Sequence, residues 1–150
     1  LSARLLDRLT RWRELLEQIE EISREQAEWL QRAKGDSAIA WSWEQWDSLS
    51  ERFELLRAEA DAVKADVEQL MSGCGRSWDS LAQEEAEEAR RAAAVVRRIN
   101  EWQIRSQAML QTGFLRVLEQ SVSFWRARSA KDRYAADGSD APPLFIDEKG

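Results

Sequence analysis

Residues 46–70 read WDSLSERFELLRAEADAVKADVEQL. Trp46, Leu49, Phe53, Leu56, Ala60, Val63, Val67 and Leu70 follow one another at alternating spacings of three and four, without a miss. That period keeps all eight side chains on one side of an α-helix, in the heptad seam of a coiled coil. Ser42 and Gln45 have the spacing of a capping box at its start, and Gly73 stands where a C′ glycine ends a helix. The spacing predicts a helix over residues 43–72.

Toward the N-terminus the same period recurs. Leu5, Leu9, Trp12, Leu16 and Ile19 continue through Ile22, Gln26, Leu30 and Ala33, and Gly35-Asp36 after Lys34 makes a stop. A helix over 2–34 follows. Toward the C-terminus, Gly73-Cys74-Gly75 is a turn, and Ser77 or Ser80 opens a third helix that meets no strong breaker before Lys131. Its acids come early (Glu84, Glu85, Glu87, Glu88) and its bases late (Arg126, Arg128, Lys131), which suits the helix macrodipole. Asp137-Gly138-Ser139-Asp140 and Pro142-Pro143 mark residues 132–150 as a mobile tail. The expected fold is all-α, an antiparallel coiled-coil bundle of three helices over 1–131 (2–34, 43–72 and 77–131). The third helix is much longer than the others and overhangs them.

Composition narrows the function classes. The 150 residues include 28 acids, 22 bases and no histidine, for a net charge of −6. Without histidine there is no Ser-His-Asp or Cys-His nucleophile, no histidine base and no histidine-ligated metal. The four early glutamates wrap around a helix start and do not face one another as an acid/base pair would. No enzyme, cofactor or metal site is expected. A lone Cys74 allows no intrachain disulfide, which fits a reducing compartment. No apolar run is long enough to span a membrane, and no signal peptide is read at Leu1, so a cytoplasmic protein is expected. Charge is uneven: residues 35–73 carry −6 and residues 89–131 carry +7. The basic stretch is interleaved with a wide apolar face in an acidic chain, which argues against nucleic acid as the partner.

Helix length points to function. At about 1.5 Å per residue the first two helices reach ~50 and ~45 Å and the third ~80 Å. Short turns make neighbours antiparallel, so the third helix passes the start of the second near residues 105–110. Beyond that point Met109, Leu110, Phe114, Leu115, Val117, Leu118, Val122, Phe124 and Trp125 remain apolar. Such a face exceeds what a soluble monomer leaves in water, so a second copy, a fold-back at Gly113 or a partner helix must cover it. Arg105, Arg116 and Arg126 form its basic rim, which favours an acidic partner helix. Of the eight tryptophans, Trp12 and Trp46 lie on the seams, Trp41 and Trp43 beside Trp46 either plug the bundle end or form the lip of a groove, Trp29, Trp78 and Trp102 are ambiguous, and Trp125 is the interface anchor.

The third helix and the tail carry a resemblance. Ile99-Asn100-Glu101-Trp102 through Met109-Leu110 and Phe114-Leu115, followed by Tyr134-Ala135-Ala136-Asp137-Gly138 and the apolar Leu144-Phe145-Ile146, are similar to the FlgN family of flagellar type III export chaperones. The chain has Ser106 where many members carry a second asparagine in the long helix. The resemblance implies a chaperone that holds the C-terminal helical segments of the hook–filament junction proteins (FlgK and FlgL type) and delivers them to the export gate. It implies a client laid along Ile99, Trp102, Met109, Leu110, Phe114, Val117, Leu118, Val122, Phe124 and Trp125, with Tyr134 docking the export apparatus. A homodimer in the client-free state is expected. The competing expectation is a generic coiled-coil interaction or dimerisation module, such as a spectrin-like three-helix adaptor.

Overall fold

The computed structural model describes residues 2–35 and 44–136; the side chains of residues 2, 34–35, 114–121, 124–125 and 131–136 lie outside that description. Three long helices account for nearly all of it: α1 (Ser2–Gly35), α2 (Glu44–Gly73) and α3 (Gln83–Ala136). A single 3-10 turn, Trp78–Ser80, precedes α3, and no strand occurs among the described residues. The expected helix spans hold to within a few residues, except that α3 starts at Gln83 instead of 77 and runs on to Ala136 instead of 131. Residues 132–136, with Tyr134, are therefore the last turn of a helix and not tail. The expectations for residues 137–150, for the Ser42–Gln45 cap and for Trp41 and Trp43 fall outside the described residues, apart from Gln45 on α2.

The end of α2 shows why a second glycine is there. Arg76 N donates to Met71 O at 2.8 Å and Gly75 N to Ser72 O at 3.1 Å. That bond pair is a Schellman motif, whose C′ residue must be left-handed. Gly75 fills it at φ +68°, and Gly73, expected in that role, is the last helical residue. Beyond the turn, buried Glu85 accepts from Ala82 N at 3.0 Å and from Arg76 at 2.6 Å. The carboxylate thus caps α3, its side chain only 2% exposed, and ties it to the residue after the α2 cap.

The chain divides into two units, Leu1–Met109 and Leu110–Gly150. In the first, contacts fix the helix directions. Along α1, Arg11 meets Glu59, Gln26 meets Ser50 and Trp29 meets Trp46, so α2 runs antiparallel to α1. Arg13 meets Glu88, Glu20 meets Arg98 and Ser23 meets Gln103, so this part of α3 runs parallel to α1. Leu15, Leu16, Ile19, Ala60, Val63, Ala92, Val95 and Ile99 form the central core, and Leu5, Leu9, Val67 and Met71 a second cluster. Each fully buried leucine contributes about 1.5–3 kcal/mol relative to exposure.

Past Ile99 the interior turns polar. Gln26 donates to Ser50 Oγ and Gln103 to Ser23 Oγ, both at 3.2 Å, while the buried Ser106 hydroxyl has no hydrogen-bond partner among the described residues. The tilted pair Trp29–Trp46, 5.6 Å between ring centroids, lies further along α1. Arg13, part-buried beside Glu88, has its guanidinium pKa raised, first by the hydrogen bond to Glu88 and then by that to Glu17. A raised pKa adds stability that is lost only as pH rises through it, above any ordinary working range.

In the second unit α3 is helical from Leu110 to Ala136 and passes through Gly113, so the helix does not end or turn back at that glycine. A Cβ at Gly113 would meet nothing within 4 Å. No described residue of this unit is buried.

Candidate functional site

The candidate site is a helix face, and the structure sorts its expected members. Ile99 is 8% exposed within the central core, so it packs the interior and is not available to a client. The reason is register: Ala92, Val95 and Ile99 form one seam spaced three and four, continued by Trp102, buried Ser106 and Met109. Trp102 and Met109 are accordingly half-buried. Leu110 and Val122, by contrast, are exposed at 37% and 42%. The side chains of Phe114, Val117, Leu118, Phe124 and Trp125, of the rim residue Arg116 and of Tyr134 lie outside the described residues.

Both described rim arginines, Arg105 and Arg126, are exposed. The Arg105 guanidinium sits 4.6 Å from the Trp102 ring centroid, a cation–π contact worth ~0.5–1 kcal/mol at an exposed site. That contact orients one basic group at the edge of the face.

Sequence reasoning missed Ile104, which is 67% exposed. Its signal was present. Ile104 stands five residues after Ile99, about 140° away around a helix, so the two do not share a face.

Two further large apolar residues are exposed, Leu55 at 67% on α2 and Trp78 at 41% on the 3-10 turn. Trp78 leans on Trp12 with centroids 6.1 Å apart. Among the described residues no group of three or more acids or cysteine is placed to hold a metal ion, and no helix is long and apolar enough to cross a membrane. Cys74 is exposed in the turn after α2. No family model, no curated protein and no solved structure matches the chain.

Among the described residues of α3, the large apolar side chains left exposed are Ile104, Leu110 and Val122, and Arg105 and Arg126 are exposed as well.

Proposed function

We propose that the chain is a helix-docking protein of the export-chaperone type, acting in the cytoplasm. Its first three-helix unit is a coiled-coil scaffold, and the apolar face of α3 takes an amphipathic helix from a client. The observation that carries this reading is the exposure of large apolar side chains on α3, Ile104 in the first unit and Leu110 and Val122 in the second. Large apolar side chains held in water on a preformed helix lower the ordering cost of binding a second one. The edges, Arg105 and Arg126, favour an acidic client.

The flagellar specialisation rests on the resemblance of Ile99–Leu115 and Tyr134–Gly138 quoted above. On that reading the client is the C-terminal helical segment of a hook–filament junction protein of the FlgK or FlgL type. Tyr134, in the last turn of α3, makes the contact with the export apparatus.

Calorimetric titration of a junction-protein C-terminal peptide tests both parts. Binding to the wild-type chain is expected, and Trp125→Ala weakens it by about 2 kcal/mol or more with an unchanged thermal melt. Absence of binding removes the flagellar client. Binding that Trp125→Ala leaves intact removes the α3 face.

A further inference from the structure

We infer that a buried polar layer divides the first unit into two blocks, and that the end carrying Trp29 and Leu49 opens on its own while the central block stays folded. The device lies wholly within Leu1–Met109 and does not depend on the client reading.

Register places the layer. Ser23 on α1 meets Gln103 on α3, and Gln26 on α1 meets Ser50 on α2. Gln26 and Ser106 stand three residues, about one turn, beyond Ser23 and Gln103 respectively. Because α1 and this part of α3 run parallel, Gln26, Ser50 and Ser106 fall at one level of the bundle, each from a different helix. Ser23, Gln26 and Ser106 are buried, at 0%, 6% and 5% exposure. Seam positions of a helical bundle are ordinarily apolar, and here two successive levels are polar.

Apolar packing resumes on the far side of the layer. Trp29, Leu30 and Leu49 are buried, yet none of them belongs to the central core or to the second cluster. Trp29 packs on Trp46 instead. α1 ends at Gly35 and α2 begins at Glu44, so both helices terminate in this block, whereas α3 runs on through it. The parts free to move are therefore the ends of α1 and α2.

The layer joins the two blocks weakly. Its two bonds link uncharged side chains at 3.2 Å, the long end of the ordinary range, and water can replace either one on opening at little net cost. Ser106 goes further. Its hydroxyl is removed from water and has no hydrogen-bond partner among the described residues, so closure carries its desolvation penalty and opening relieves it. The serine thus biases the end block toward an open state in which Trp29, Leu30 and Leu49 reach solvent. Such sub-global openings are how stability comes to differ within one fold.

Hydrogen exchange of the full chain, resolved amide by amide by NMR over a series of sub-denaturing urea concentrations, tests this. Amides of residues 27–30 and 49–51 should share one opening. Their protection should lie at least about tenfold below that of residues 15–19 and 63–67, with a shallower urea dependence because less surface is exposed. Val95→Ala should lower protection in the central block by about tenfold and leave the end block unchanged. Ser106→Ala should raise end-block protection by about fivefold more than Ser48→Ala does. Ser48 is exposed on α2, so its replacement reads what the helix preference of alanine adds by itself. Equal protection and equal urea slopes in the two blocks overturn the inference. So does protection that declines residue by residue toward Gly35, which is simple fraying of a helix end. A Val95→Ala chain that loses protection equally in both blocks, or a Ser106→Ala chain no better protected than Ser48→Ala, overturns it as well. Should Val95→Ala fail to fold, the urea slopes of the wild-type chain decide alone.

Discussion

The two parts of α3 make an instructive pair. Between Gln83 and Met109 the helix buries Glu85, Ala92, Val95, Ile99 and Ser106, two of them polar. Between Leu110 and Ala136 the sequence is richer in large apolar residues, yet none of the described ones is buried and Leu110 and Val122 stand exposed. Hydropathy alone therefore does not decide burial along a helix. The neighbouring elements decide it, and where α1 and α2 supply a seam even a glutamate is taken inside, provided Arg76 and a backbone N–H meet its charge.

The largest expected effect strikes the buried part. Ile99→Ala should cost about 2–5 kcal/mol in denaturant unfolding, because the cavity opens against Leu15, Ala60 and Val95 in the central core. A loss below about half a kilocalorie per mole would return Ile99 to the client face and erase the contrast.

Next comes the cap of α3. Glu85→Gln removes the charge that faces Arg76 and weakens the bond to Ala82 N, and should cost about 1–3 kcal/mol. Thermal melts read the effect, and an unchanged midpoint would show that the helix start does not depend on this carboxylate.

The smallest effect sharpens the comparison from the other side. Leu110→Ala and Val122→Ala should change folding stability by no more than about 0.5 kcal/mol, the range of exposed substitutions. A penalty of core size at either position would mean that a neighbouring element of the same molecule covers it.

Much of this was legible in the sequence, and the failures have physical causes. The α2 seam from Leu49 to Val67 was readable because a heptad repeat fixes one face whatever packs on it. Its edges were less so: Phe53, Leu56 and Leu70 are half-buried and Met71 is buried, since two neighbours, not one, share the stripe. Trp29 was ambiguous in sequence and is 1% exposed, because its partner Trp46 comes from another helix. Glycine chemistry named the turn after α2, but only hydrogen-bond positions distinguish Gly75 from Gly73. On α3, Ile99 was placed with the client residues and Ile104 was passed over. Both errors came from treating one apolar stretch as one face, when the five residues from Ile99 to Ile104 turn the helix by about 140°.

Hydrogen exchange read by mass spectrometry tests the central claim, that α3 has a folded part and a part built for a partner. It is measured on the dilute, monomeric chain with and without an acidic amphipathic helical peptide of about 25 residues. The account predicts slow exchange over residues 83–109 in both samples, fast exchange over 110–130 in the free chain, and protection gained there when peptide is added. Equal protection of both segments in the free chain, or peptide that leaves 110–130 unchanged, would contradict it.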